Sequence, residues 1–491
     1  MSQPKIIQGG MGAAVSGWTL ARTVSQLGQL GVVSGTGLAI ILARSLQLGD
    51  LDGHLRHALQ RFPVPEVAAR VLAQYFVPGG KSSAAPFKLA AMPTLRPGPA
   101  LVELTVVANF VEVFLAKDGH DGLVGINFLE KIQLPTLPSL YGAMLADVDY
   151  VLMGAGIPRA IPGALDRLAA GEPAQLKIDV IGALPGEEFL SMFDPRAFCK
   201  GQLPAVKRPQ FLGIVASVTL AMALARKASG YVDGFVIEGD TAGGHNAPPR
   251  GPLQLNAIGE PVYGPRDVVD LEKIRELGRP FWLAGSYGRP GRLAEALRLG
   301  ASGVQVGTAF AFCNESGLRP DLKRQALQMS RAGAARVFTD PIASPTGFPF
   351  KVVLTPGTLS DADRYAARTR ICDLGYLRHL YRKPDGTLGY RCPAEPVDDF
   401  VKKGGTVADA QGRKCLCNAL VANIGLNQLR SNSEEELALM TAGDDVAHVA
   451  QFLQPGCDTY TAADVVHCLL DEALPVNGVA HSAAHPSPAH V

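Results

Sequence analysis

The stretch Phe235-Val236-Ile237-Glu238-Gly239-Asp240-Thr241-Ala242-Gly243-Gly244-His245 joins an apolar run to two carboxylates, a glycine pair and one histidine. An apolar run that ends in a carboxylate reads as a buried strand, and Pro248-Pro249 stops the loop beyond it from continuing as a helix. His245 then lies at the carboxyl end of a strand, where Gly243 and Gly244 let a flat ligand approach the backbone closely. Parallel α/β architectures keep their chemistry at that edge. Imidazole, with an ordinary pKa of about 6.5, accepts a proton at neutral pH, so His245 is the candidate acid/base. Glu238 and Asp240 are the alternatives. Glu238 is expected to point into the interior and pair with another polar group, and Asp240 to organise the turn. Arg250 could draw in an anionic substrate or stand solvated at the surface.

Two further turns suit an anion. Trp282-Leu283-Ala284-Gly285-Ser286-Tyr287-Gly288 and Val304-Gln305-Val306-Gly307-Thr308 each end a strand in a glycine-containing turn. Backbone N–H groups there, and at the helix starts that follow, would cradle a phosphate. Met11 could lie against a flat ring and Asn127 could hydrogen-bond to its edge. Taken alone, Met11 reads as core packing. No Gly-x-Gly-x-x-Gly turn opens a helix, which argues against a dedicated dinucleotide domain.

These pieces resemble the FMN-dependent nitronate monooxygenase family, formerly called 2-nitropropane dioxygenases. Gln8-Gly9-Gly10-Met11-Gly12 is similar to that family's opening Gln-x-Pro-Met, with Gly10 in place of the proline. Gly125-Ile126-Asn127 is similar to its Gly-Val-Asn, Ala242–His245 to its Ala-Gly-Gly-His, and the turns at Gly285 and Gly307 to its phosphate turns. The resemblance runs in family order from residue 5 to about residue 315. It implies FMN, held by Gly10, Met11, Gly12, Asn127, Ser217, Glu238, Gly243, Gly244, Gly285, Ser286, Gln305, Gly307 and Thr308, with His245 catalytic. It also implies oxidation of alkyl nitronates by O2 to carbonyl compounds and nitrite. FMN barrels with similar turns include NAD(P)H-dependent enoyl-thioester and quinone reductases, and these are the alternative reading.

Eight Val/Ile/Gly-rich runs would position these residues: Lys5–Gln8, Leu30–Ser34, Leu123–Phe128, Tyr150–Met153, Phe211–Ala216, Gly234–Glu238, Phe281–Ala284 and Gly303–Val306. Most lead into a helical period, as Arg292–Gly300 does, ending on a capping glycine. Near-continuous apolar strands alternating with helices predict a parallel sheet, and eight such units predict a (β/α)8 barrel, with an open doubly wound sheet as the alternative. Lys177–Gly182 could be another strand but is assigned to an insertion that ends near Pro209. Residues 1–330 are therefore the expected barrel, and residues from about 45 to 120 a helical lid or subdomain. Residues 331–477 lack the strand–helix rhythm and read as a structural extension packed on the barrel. It holds a Pro384-Asp385-Gly386 hairpin and a helix at Ser433–Met440. Gly478–Val491 reads as a disordered tail.

With 491 residues, 47% hydrophobic and 19% charged, the chain can bury a large core. A net charge of +1 without basic blocks gives no sign of nucleic-acid binding. The start has no secretory pattern, and Phe211–Ala225 is too short to span a bilayer, so the expectation is a cytoplasmic enzyme with no membrane partner, and a homodimer is the candidate assembly. Eight cysteines then fit reduced thiols. Cys372, Cys392, Cys415 and Cys417 could enclose zinc or an iron–sulfur cluster. Their spacing departs from the usual Cys-x2-Cys knuckle, so free buried thiols are the reading and no metal is assigned.

Overall fold

The computed structural model describes residues 3–430 and 435–471. Eight short strands form one sheet: Ile6–Gln8 (β1), Gly31–Ser34 (β2), Val124–Leu129 (β3), Tyr150–Gly154 (β4), Gln210–Val215 (β5), Gly234–Glu238 (β6), Phe281–Ala284 (β7) and Gly303–Val306 (β8). All are parallel, and they neighbour one another in the order β1-β8-β7-β6-β5-β4-β3-β2. The ring closes where Ile7 bridges Leu30, with Gln8 N donating to Leu30 O at 2.9 Å and Leu30 N to Ile6 O at 3.1 Å. This is the (β/α)8 barrel, not the open sheet.

Side chains that alternate inward fill the ring. Ile7, Leu30, Val32, Tyr150, Leu152, Leu212, Val236 and Trp282 make an interior cluster, which explains why these strands read as unbroken apolar runs. The Gln8 amide completes the seam between β1 and β2. Its Oε1 accepts from Val32 N at 3.0 Å and its Nε2 donates to Ser16 Oγ at 2.9 Å.

Four helices, Leu38–Gln47, His54–Gln60, Pro65–Tyr75 and Pro99–Lys117, follow β2. They pack on the flank of the barrel. A Cβ at Gly142 would sit 2.2 Å from Val106 O, so the helix Thr136–Leu145 lies tight against Pro99–Lys117. Among the described residues, Pro99–Lys117 is one helix long and apolar enough to cross a membrane by length and composition, and 67% of its most apolar stretch is buried inside this fold. None of residues 45–120 lines either cavity at the barrel mouth.

Lys177–Gly182 stays out of the barrel. Ala174–Lys177 pairs with Leu190–Phe193, and Val180–Ile181 runs parallel to His379–Arg382 of the extension. His379–Arg382 and Leu388–Arg391 form the hairpin around Pro384-Asp385-Gly386. The helix expected at Ser433–Met440 is corrected. Residues 433–434 lie outside the described residues, and 435–440 are not helical. Their carbonyls serve other elements: Ala438 O accepts from Leu359 N, Leu439 O from Asn423 Nδ2 and Met440 O from Val353 N. Glu436 is held by buried Arg368, with Nη2–Oε2 at 2.9 Å, and by Arg430 at 3.1 Å. Cys372, Cys392, Cys415 and Cys417 are free and line one small cavity, and among the described residues no three His, Cys, Asp or Glu are grouped to hold a metal. The tail at 478–491 lies outside the described residues.

Candidate active site

The carboxyl ends of the strands open into two adjoining cavities. The first, about 210 Å³, is lined by the carboxyl ends of the barrel strands, Gly154 of β4 and Ile214 of β5 included, and by the loops that follow. Gly10 is there because strands approach closely: a Cβ at position 10 would lie 2.4 Å from Asn127 Cβ, so the proline of the resembled motif has no room here. Met11 lines the cavity and touches the Gly307 turn, where an added Cβ would meet Met11 Sδ at 3.4 Å. Asn127 and Gln305 also line it, and each leaves a buried amide oxygen without a hydrogen-bond partner. Buried polar groups are rarely left this way, so these two call for a ligand donor.

The opposite chemistry sits at β7. Gly285 and Ser286 adopt successive positive φ values of 99° and 54°. Their N–H groups make no backbone hydrogen bond among the described residues. Successive free N–H groups in a tight turn form an anion cradle, and a non-glycine residue held at positive φ is the kind of strain that collects at functional sites. Thr308, after β8, accepts from Gly443 N at 2.8 Å and keeps its own hydroxyl proton to donate. Gly12, Glu238, Gly243 and Gly244 line the same cavity. Ser217 lines the second cavity instead, and its hydroxyl caps the helix Val218–Lys227 by accepting from Leu220 N.

Glu238 and His245 border both cavities. Among the described residues the Glu238 carboxyl has no hydrogen bond or ion pair, contrary to the expected polar partner. Burial raises its pKa to about 8. Burial acts on His245 with the opposite sign, lowering its pKa to about 4, so the imidazole is neutral at pH 7. Its Nε2 lies 2.7 Å from Ser344 Oγ, and the ring packs edge-on against Phe350 with centroids 4.8 Å apart. The two groups therefore hold protons over well-separated ranges, a pattern typical of acid/base pairs.

The extension supplies part of the first cavity. Phe350, Leu420, Thr441, Ala442 and Asp445 line it, and Ser344 orients His245 from behind. Asp445 accepts from Gly288 N at 3.1 Å and stands 3.1 Å from Arg289 Nε, a charge contact not aligned as a hydrogen bond. Sequence reasoning missed these residues and also Ser34, Thr36 and Thr241. Only the last sat within a singled-out motif. The others carry no local signal, because distant segments bring them together.

Residues 197–341, which hold Ser217, Glu238, His245 and both anion turns, match the nitronate monooxygenase family model. The match covers less than a third of the chain. A probable nitronate monooxygenase of Bacillus subtilis is 35% identical over 101 residues, 21% of this chain and 27% of that protein. A Mycobacterium tuberculosis protein, named as (3aS,4S,5R,7aS)-5-hydroxy-7a-methyl-1-oxo-octahydro-1H-indene-4-carboxyl-CoA dehydrogenase, is 28% identical over 156 residues, 32% of this chain and 39% of that one. The chain thus spans well under half the length of these curated relatives. Solved structures with a similar course include FabK from Thermotoga maritima, 16% identical with a TM-score of 0.43 over 96% of this chain and 93% of that one. Another is a nitroalkane oxidase from Streptomyces ansochromogenes, 18% identical with a TM-score of 0.42 over 95% and 94%. Likeness of that degree says nothing about substrate. Nitronate monooxygenases are flavin enzymes, and the cavity fits such a group: unpaired acceptors at Asn127 and Gln305 suit a ring with an N–H edge, and the Gly285–Ser286 amides suit an anionic tail.

Proposed function

We propose that this protein is an FMN-dependent oxidoreductase that oxidises alkyl nitronates with O2 to carbonyl compounds and nitrite. The observation that carries the reading is the first cavity, with orphaned amide oxygens at Asn127 and Gln305 and free turn amides at Gly285 and Ser286. Asn127 and Gln305 would meet the ring edge, Met11 its face, and the turns at Gly285 and Gly307 the phosphate. FMN, when bound, supplies electron transfer that no side chain here can perform.

The residues of the chain handle binding and protons. Below about pH 8 the Glu238 carboxyl is protonated and donates a hydrogen bond to a nitronate oxygen. When ionised, Glu238 takes the α-proton of a neutral nitroalkane. Neutral His245, fixed by Ser344 and Phe350, orients the anion. In this reading Glu238 takes the acid/base role for which His245 was the candidate in the loop sequence.

A second reading keeps the flavin and replaces the reaction by NAD(P)H-dependent reduction of an enoyl thioester. It is favoured by the second cavity, which gives room for a larger substrate, and by the thioester in the name of the M. tuberculosis relative. Anaerobic mixing separates the two: a nitronate should bleach the flavin, and NADPH or NADH should not. Protein purified without FMN, or releasing no nitrite from any nitronate, would sink the first reading.

A further inference from the structure

The second cavity, about 290 Å³, meets the first at Ala155, Ile214, Glu238 and His245. Away from that shared wall its lining is mainly apolar, with Val215, Leu220, Ala247 and Phe348 among the contributors. Polar groups on the lining are already engaged. Tyr263 Oη donates to Ala247 O at 3.0 Å, Ser217 Oγ caps a helix, and Asp267 accepts from the N–H groups of Arg250 and Gly264 at 2.8 Å each. The exception is Asn246 Oδ1, a buried oxygen without a partner among the described residues. The charged groups Asp240 and Arg250 are exposed residues at the outer side.

A chamber with reactive groups at one end, spent polar groups along its sides and charge at its opening suits one class of molecule. We propose that the second cavity binds the alkyl chain of the substrate, with the reacting end at the wall shared by Glu238 and His245. The preferred substrates are therefore aliphatic compounds whose chain is long enough to reach from that wall into the chamber. The placement of the reacting end rests on the reading of the first cavity as the cofactor site.

Straight-chain alkanoates from butanoate to dodecanoate test this without turnover, since a carboxylate presents two oxygens and one negative charge, as a nitronate does. Calorimetric titration of the full-length purified protein should show Kd falling about fourfold per added methylene, the equivalent of ~0.8 kcal/mol each. The fall should level off once the chain fills the chamber. Ala247→Phe and Ala216→Phe, both on the chamber's lining, should each move that break to chains several carbons shorter without changing flavin content. Kd values indifferent to chain length, or a break unmoved in whichever variant folds, would overturn the proposal. The two readings fail separately: an intact length series without nitrite release upholds the chamber and removes the nitronate reaction. Nitrite release without a length series does the reverse.

Discussion

Glu238 and His245 stand at the same wall but titrate on opposite sides of neutrality, which predicts opposed pH profiles for two forms of one substrate. With the Glu238 pKa at about 8, a nitronate meets a hydrogen-bond donor below that pH and a like charge above it. Its kcat/KM should fall as pH rises through about 8. A neutral nitroalkane needs the ionised carboxylate, so its kcat/KM should climb over the same interval. Glu238→Gln should flatten both limbs and slow the neutral substrate by about a hundredfold, leaving preformed nitronate much less affected. His245, with its pKa near 4, should contribute no limb between pH 5 and 8. A neutral-substrate profile that breaks near 6.5 and disappears in His245→Asn would return the base to the imidazole. The loop sequence placed both residues at a strand end. Their proton affinities were not legible in it, because desolvation comes from segments such as Ser344–Phe350 about a hundred residues away.

The strand ends have consequences that belong to the element rather than to one side chain. At Gly307 an added Cβ would make only an ordinary contact with Met11, so Gly307→Asp can be accommodated while setting a carboxylate beside the proposed phosphate. The ratio of flavin to protein absorbance after gel filtration should collapse while circular dichroism is unchanged. The helix Pro99–Lys117 carries a different liability. Its buried Glu112 accepts from Trp18 N at 2.7 Å, and burial lifts its pKa from 4.5 to about 7. The protonated form suits the fold, so the stability it brings is complete below pH 4.5 and is lost as pH rises to about 7, a difference of about 3 kcal/mol. Glu112→Gln, which keeps an acceptor for Trp18, should raise Tm at pH 8 and leave it nearly unchanged at pH 4. All eight barrel strands were legible, since burial on both faces writes them as apolar runs. The Ser433–Met440 stretch was not, because tertiary partners claim its carbonyls and override a helical composition.

For the whole molecule, the extension matters because it walls the site. Thr308 is tied to Gly443, buried Lys351 pairs with Asp444 at 2.7 Å, and Phe350, Thr441 and Asp445 border the first cavity. Truncation near residue 330 should therefore give aggregated or flavin-poor protein, seen by light scattering and by the absorbance ratio. A soluble, active, flavin-loaded truncation would refute that. The sequence marked this region as an extension packed on the barrel, but nothing in a missing strand–helix rhythm reports which surface it covers. The seam of the barrel has a last consequence. Between β1 and β2 one bridging residue and the Gln8 amide replace a full ladder, so the ring has a line along which it can breathe. In hydrogen–deuterium exchange, the amides of Leu30 and Val32 should lose protection before those of β5 or β6. Gln8→Leu, which leaves Val32 N buried and unpaired, should widen that gap and turn a closed ring into a slowly opening ribbon.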